Sequence, residues 1–195
     1  SLIASGAGAI GVQNPIFCNG ANMAYRKEAF IKANNFKKDD TASGDDVFLL
    51  HSIKAMYHNS IVFANDTAAI VRTEGAQKFI DFINQRKRWA AKSVTYNDRY
   101  SIYVSYLVFL VNFSCIFLFV LMFFNSSFLL IFTAFYFLKF IIDSFLLYPA
   151  LKFFKREDLI KWIFPFELFY SFYIILITIL SLTTQFEWKG RTYRK

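Results

Sequence analysis

Three long apolar runs constrain the fold of this chain more than any other feature of its sequence. Each run provides the roughly 20 residues that a helix needs to cross a bilayer. The runs cover residues 102–124, 128–150 and 163–182. Polar residues 125–127 join the first two runs and predict a helical hairpin, whereas Pro165 and Glu167 interrupt the third run early. The sequence therefore predicts transmembrane or interfacial helices over residues 99–184.

The rest of the chain has a different composition. The whole chain is 56% hydrophobic, yet residues 1–100 carry 13 Lys and Arg and 9 Asp and Glu, against 9 and 5 in residues 101–195. This asymmetry predicts a globular domain over residues 1–98 and a basic tail over residues 185–195. The net charge is +8, and the basic residues cluster beside apolar segments. This placement favours a membrane and phosphate groups over nucleic acid as partners.

Short strands and helices are predicted within the globular part. Strands are expected where apolar and polar residues alternate, over residues 21–26, 61–64 and 68–71. Helices are expected over residues 27–33, 47–57 and 77–93. Asn65-Asp66 predicts a hairpin turn, Asn34-Asn35 a helix end, and residues 37–44 a polar loop. Residues 1–11 are rich in Gly and Ala and are interpreted as a loop or a helix end.

The stretch Gln85-Arg86-Lys87-Arg88-Trp89 combines side chains suited to phosphate and sugar. Residues three and four apart are neighbours on a helix, so Gln85, Arg88 and Trp89 share one face. The Arg fork donates to phosphate in parallel, and an exposed indole plane suits the apolar face of a sugar ring. A basic amphipathic helix lying on a membrane surface is the alternative interpretation.

Two carboxylates, Asp45 and Asp46, stand at the start of a predicted helix. The helix dipole favours acidic residues there, so capping alone would explain them. The alternative is chemical, since transfer of a sugar to a hydroxyl with inversion needs one general base. Further upstream, Asn19-Gly20 predicts a turn, which would by itself be only a structural feature.

These motifs follow one another in a definite order along the chain: residues 18–26, Asp45-Asp46, Q-x-x-R-W at 85–89, and then the apolar runs. In this order the chain resembles the C-terminal half of a membrane-bound family 2 glycosyltransferase. It is similar to ceramide glucosyltransferase and to cellulose, hyaluronan and chitin synthases. In that family Q-x-x-R-W follows an acidic pair by about forty residues, the separation found here between Asp46 and Gln85.

The resemblance implies a fold and a set of site residues. The implied fold is α/β, the C-terminal part of a GT-A (Rossmann-like) domain followed by the transmembrane helices. Asp46 takes the place of the catalytic base, with Asp45 beside it. Gln85 and Arg88 would bind the donor diphosphate. The acceptor site would be lined by Trp89, Cys18, Asn19 and Gly20.

The implied activity is inverting transfer of a sugar from a nucleotide-sugar donor to a hydroxyl of a lipid or glycan acceptor. A processive polysaccharide synthase is a second possibility within the resemblance. Outside it, a non-enzymatic membrane-anchored scaffold or a transporter fragment would also account for the charge and hydrophobicity. In such a protein, the order and spacing of the motifs would be a coincidence.

The metal that the resemblance implies is Mg²⁺ or Mn²⁺, bound by an Asp-x-Asp pair that bridges the diphosphate. Residues 1–100 contain no such pair. Its ligands are therefore expected upstream of Ser1, and the chain is interpreted as a fragment that is inactive alone. No metal site is predicted within it. His51 and His58 are interpreted as structural or exposed.

Basic residues predict the orientation in the membrane. Residues 86–88 precede the first run and residues 152–156 follow the second, which places both on the cytoplasmic side, as for a bacterial inner-membrane protein. Three crossings would then put the basic tail outside, against the charge rule. A re-entrant or interfacial third segment would remove this conflict. Cys18 and Cys115 are not expected to form a disulfide, which fits a reducing compartment.

Two charged residues lie near the middle of the second run. Lys139 and Asp143 are four residues apart, so they are predicted to form an ion pair within the helix. A groove for a lipid headgroup or a glycan is the alternative interpretation of these residues.

Overall fold

The computed structural model describes residues 2–33, 45–93, 96–188 and 191–193, with side chains described up to Gln185. The polar loop predicted over 37–44 and the helix end predicted at Asn34-Asn35 lie outside the described residues. The chain divides into two compact units. One contains residues 103–179, and the other contains residues 2–102 together with the C-terminal residues from Leu180 onward.

Helices make up most of the described residues. In chain order they are α1 (Leu2–Gly11), α2 (Lys27–Lys32), α3 (Asp45–Met56), α4 (Phe79–Ser93), α5 (Arg99–Leu121), α6 (Ser127–Phe153) and α7 (Ile163–Thr183). Short 3-10 helices cover Thr67–Ala69 and Glu157–Trp162. The helices predicted over 27–33, 47–57 and 77–93 are confirmed as α2, α3 and α4, whereas residues 2–11 form a helix where a loop or a helix end was expected.

The three apolar runs form helices that are long and apolar enough to cross a membrane. They correspond to α5, α6 and the segment Glu157–Thr183, which includes α7. Pro165 lies in the first turn of α7, where a missing N–H is tolerated, so the helix continues through it. The helical prediction for all three runs is confirmed, and the association of the chain with a membrane follows from them.

Polar side chains connect α6 to α7 within the unit of residues 103–179. Lys139 donates to Asp143 one turn later on α6 (Nζ to Oδ2, 2.7 Å), which confirms the predicted ion pair. The Lys139 ammonium also pairs with Glu167 of α7, and both residues are buried. A charge in a membrane helix costs about 2.5–3.5 kcal/mol on insertion scales, so mutual pairing is the expected arrangement. Glu167 completes a three-residue cluster that the sequence did not predict.

The α5 and α7 helices are joined by a second polar contact inside the same unit. Ser171 donates to Asn112 (Oγ to Oδ1, 2.9 Å), and Asn112 in turn donates to the Val108 carbonyl one turn earlier (Nδ2 to O, 2.7 Å). Asn112 and Ser171 are both buried. Interhelical hydrogen bonds of this kind specify which helix faces meet in an apolar environment.

The predicted α/β fold, the C-terminal part of a GT-A (Rossmann-like) domain, is wrong for the described residues. They are mainly helical, and the two strands among them, β1 (Phe186–Trp188) and β2 (Arg191–Tyr193), pair antiparallel at the C-terminus. Residues 21–26 and 61–64 form no strand; residues 21 and 22 belong to the turn that follows Asn19, and neither segment pairs with another among the described residues. Val62 is 81% exposed, whereas a strand in the core of a parallel sheet would bury such a side chain.

The hairpin predicted at Asn65-Asp66 is also wrong. The Asp66 carboxylate accepts a hydrogen bond from the Ala68 N–H (2.8 Å) and caps the 3-10 helix Thr67–Ala69. Asp side chains bond readily to the backbone two residues ahead, and here this local bond turns the chain without pairing two strands.

The start of α5 is fixed by a polar network within the unit that contains residues 2–102. Asp98 accepts from the Ser101 N–H and hydroxyl (2.8 Å each) and from the Lys54 ammonium (2.8 Å). Burial alone would raise the pKa of Asp98, but these hydrogen bonds outweigh it and lower that pKa. His51 Nε2 lies 3.3 Å from the Ile16 carbonyl and 3.1 Å from the Ser101 hydroxyl, so the imidazole joins this network. Burial lowers the pKa of His51, which fits the structural role predicted for it.

Candidate functional site

Asp46 is held in a defined orientation at the first turn of α3. The Gly20 N–H donates to Oδ2 (3.0 Å), and the Val47 N–H donates to Oδ1 (2.9 Å). Val47 is 2% exposed, and Leu49 and Leu50 are also buried, so α3 is anchored by its apolar side just after the carboxylate. Asp45 precedes it at an exposed position. Both Asp46 oxygens are therefore oriented by backbone donors, and each keeps further acceptor capacity.

The turn that supplies the Gly20 donor is built by its own side chains. Asn19 Oδ1 accepts from the Ala21 N–H (3.0 Å), which confirms the turn predicted at Asn19-Gly20. Asn22 donates to the Ala69 carbonyl (2.6 Å) and so fastens the turn to the 3-10 helix. The Cys18 thiol donates to the Asp46 carbonyl (3.2 Å). Cys18 and Gly20 thus contact Asp46 directly, while Asn19 shapes the turn between them.

Gly20 leaves space that a larger residue would take from the carboxylate. A Cβ at this position would lie 3.3 Å from Asp46 Oδ2 and 3.5 Å from Asp46 Cβ. We expect Gly20→Ala to displace the carboxylate and to reduce kcat for transfer about tenfold in the full-length enzyme, since small misplacements of reacting groups are costly. Steady-state kinetics would measure this.

The matched control is Gly8→Ala, where a Cβ would meet no atom within 4 Å. This substitution in α1 is expected to leave kcat unchanged. An unchanged kcat in Gly20→Ala as well would show that the position of the Asp46 carboxylate does not limit the reaction.

One face of α4 brings two cations within electrostatic reach of Asp46. Burial lowers the pKa of Arg88, and the Asp46 carboxylate acts in the opposite direction. Burial also lowers the pKa of Lys92, opposed by Asp46 and, to a smaller extent, by Asp45. Arg88 and Lys92 are one turn apart on the helix. Asp46 and Arg88, predicted as parts of one site from separate motifs, therefore lie close enough to interact.

Lys92 and Tyr96 belong to the same cluster, although neither was predicted as a site residue. Burial, with the nearby Asp46 charge, raises the pKa of Tyr96 to about 12. The Tyr96 ring packs edge-on against His51, with centroids 5.2 Å apart. The sequence signal for Lys92 was its spacing of four residues from Arg88 on the same helical face. Tyr96 lies beyond α4, and its sequence position carries no comparable signal.

Cys18 has the character of a structural thiol. Burial and then the Asp46 charge raise its pKa to about 12. A thiol with a raised pKa is almost entirely protonated at neutral pH and is a poor nucleophile. Its hydrogen bond to the Asp46 carbonyl therefore positions the start of α3.

Trp89 and Gln85 are placed differently from the other predicted residues. The Arg86 guanidinium lies 4.5 Å from the centroid of the Trp89 ring and 4.8 Å from that of Phe82. One face of the indole is thus occupied by a cation within the helix. Gln85 is half-buried on α4. Among the contacts of the described residues, none joins Gln85 or Trp89 to Asp46.

Metal-binding side chains do not cluster in the part of the chain that the structure describes. No group of three or more His, Cys, Asp or Glu residues is close enough there to hold an ion. The two carboxylates at the start of α3 do not form such a group. The Mg²⁺ or Mn²⁺ ion implied by the resemblance remains a prediction.

A comparison with protein families supports the resemblance to a family 2 glycosyltransferase. The family model described as glycosyl transferase family group 2 matches residues 4–183. The chain belongs to this family. The match includes α3 with Asp46, α4 with Arg88 and all three apolar helices. Neither a curated protein nor a solved structure matches the chain. Membership in this glycosyltransferase family gives the general chemistry, transfer of a sugar from a donor to an acceptor.

Proposed function

We propose that this glycosyltransferase transfers a sugar with inversion from a nucleotide-sugar donor to a hydroxyl of a lipid or lipid-linked glycan. The observation that carries the proposal is the Asp46 carboxylate, oriented by two backbone N–H groups beside the cations of α4. A fixed carboxylate next to a cationic face is the pairing that the reaction needs. The carboxylate takes the proton of the acceptor, and the cations bind the negatively charged leaving group.

Asp46 is the general base in this proposal. The acceptor oxygen forms a bond to the anomeric carbon while the bond from that carbon to the diphosphate oxygen breaks. The acceptor proton moves to the Asp46 carboxylate, and the electron pair of the broken bond leaves with the nucleoside diphosphate. Because Gly20 and Val47 each use one acceptor position on a different oxygen, the remaining positions can receive the acceptor hydroxyl.

Arg88 and Lys92 would bind the leaving diphosphate. Negative charge increases on the diphosphate as the bond to the sugar breaks, so preorganised cations stabilise the transition state more than the ground state. Gln85 on the same helix would add a neutral donor. The electrostatic interaction of Asp46 with both cations supports a leaving-group site beside the base.

The acceptor side is assigned to Cys18, Asn19, Gly20 and Trp89. The turn over residues 18–22 borders Asp46 directly and is mostly exposed, so an acceptor hydroxyl can approach the base there. Trp89 would contact the acceptor through the ring face opposite Arg86. A membrane-borne acceptor is proposed because apolar helices follow the residues of the site in the chain. A cytoplasmic site is proposed because nucleotide sugars are found there.

The test of this function is a donor screen on the full-length protein in detergent with Mn²⁺ and added membrane lipid. We expect one class of nucleotide sugar to release its nucleoside diphosphate in a lipid-dependent manner, with the sugar recovered on a lipid. The product's anomeric configuration, measured by NMR, should be opposite to that of the donor. A product of retained configuration, or sugar transfer only to water, would contradict the proposal.

A further inference from the structure

A hydrogen bond joins two segments that the apolar helices separate in sequence. Lys87 of α4 is 7% exposed, although basic residues flank it on both sides. Its ammonium donates to the backbone carbonyl of Gln185, which follows α7. The next segment, β1, packs against α4. Both partners belong to the same compact unit of the chain.

This contact restricts the path of the chain through a bilayer. Two groups in hydrogen-bond contact outside the apolar helices lie on the same side of the membrane. A chain that begins and ends on one side has crossed an even number of times. Between Lys87 and Gln185 stand three helices that are each long enough to cross. Three complete crossings are therefore incompatible with the contact.

We propose that the segment between α4 and Gln185 makes an even number of complete membrane crossings, and that Lys87 is a positioning residue that fixes the C-terminal segment on α4. At most two of the three apolar helices then cross completely. This arrangement agrees with the basic composition of the sequence after Gln185, since Lys and Arg tend to remain in the cytoplasm. Neither Lys87 nor Gln185 is assigned a part in the proposed transfer reaction.

The chemistry of Lys87 explains why it can anchor the segment. A buried ammonium must keep an acceptor, since a charged donor left without one is costly. The Gln185 carbonyl supplies that acceptor. Lys87 and Arg88 are neighbours in sequence and point about 100° apart around the helix, so anchoring through Lys87 leaves the face of Arg88 available to Asp46.

The first test compares the sidedness of two positions in sealed membrane vesicles containing the full-length protein. The parent protein carries Cys18→Ser and Cys115→Ala. One cysteine is then introduced at His58, which is exposed after α3, or at Thr184, which is exposed just before Gln185. A membrane-impermeant maleimide is added before and after permeabilisation with detergent. We expect both positions to react at the same stage. Reaction of one before permeabilisation and of the other only afterwards would overturn the proposal.

The second test examines Lys87 as the anchor. In the Thr184→Cys protein, Lys87→Met removes the donor, whereas Lys87→Arg keeps a cationic donor of similar length. We expect Lys87→Met to increase the rate of maleimide labelling at position 184 in detergent about fivefold or more, and Lys87→Arg to restore a rate close to that of the parent. Equal rates in the Met variant and the parent would show that Lys87 does not hold the C-terminal segment.

Discussion

Asp46→Asn in the full-length enzyme is expected to reduce kcat for sugar transfer about 1,000-fold while the nucleoside diphosphate still binds. The amide has nearly the shape of the carboxylate but cannot take the proton of the acceptor hydroxyl. Binding of the diphosphate should persist because its proposed cations are on α4. Single-turnover transfer and calorimetric titration with UDP or GDP would measure the two quantities separately.

Two comparisons separate the loss of a base from a loss of structure. An amide offers one acceptor oxygen, so one of the N–H groups of Gly20 and Val47 loses its acceptor, which can lower the stability of the protein. The thermal midpoint of Asp46→Asn must therefore be recorded beside its kcat. Asp81→Asn, an exposed residue in the first turn of α4, is the matched control and should leave kcat unchanged. Transfer by Asp46→Asn within about tenfold of the parent rate would show that Asp46 is not the base.

Arg88→Ala is expected to lower kcat about 100-fold and to weaken binding of the nucleoside diphosphate, since it removes a preorganised charge from the leaving group. The half-buried position of Arg88 makes its charge more effective than that of an exposed residue. Lys92 provides a second cation one turn away, so binding should be reduced rather than abolished. The measurement combines kcat for the preferred donor with the Kd of the diphosphate.

Arg72→Ala is the matched control for Arg88, because Arg72 is exposed and outside α4. It should bind diphosphate as the parent protein does. If Arg88→Ala lowers kcat but leaves the diphosphate Kd unchanged, Arg88 acts on the acceptor or on Asp46, and its assignment to the leaving group is wrong. Arg88→Lys should recover only part of the activity, since an ammonium lacks the parallel donors of a guanidinium.

Local features of the candidate site were predictable from the sequence, and the contacts between its parts were not. The carboxylates at the start of α3 and the turn at Asn19-Gly20 depend on neighbouring residues only, and both are found. The bond from the Gly20 N–H to Asp46 spans 26 residues and has no periodic signature. Lys92 and Tyr96 join Asp46 through the same kind of nonlocal packing, which explains why neither was predicted.

The error in fold class has a related cause. Alternating residues indicate that a segment can be extended, but a strand exists only where another segment pairs with it. The segments over residues 21–26 and 61–64 have no such partner among the described residues and form no strand there. At residues 68–71, the side chain of Asp66 favours a 3-10 helix instead. The alternation of apolar and polar residues could not distinguish a paired strand from an unpaired segment or a 3-10 helix.

The sequence by itself determined the apolar helices and the charge pair within α6, because helix length and a spacing of four residues are local properties of the chain. Only the tertiary structure decided that Glu167 joins Lys139, that Arg86 covers Trp89, and that Gln185 returns to Lys87. Lys139 and Lys87 find partners that are distant in sequence, and Arg86 has several possible neighbours on α4. Which partner each cation contacts depends on how its charge is buried in the folded chain.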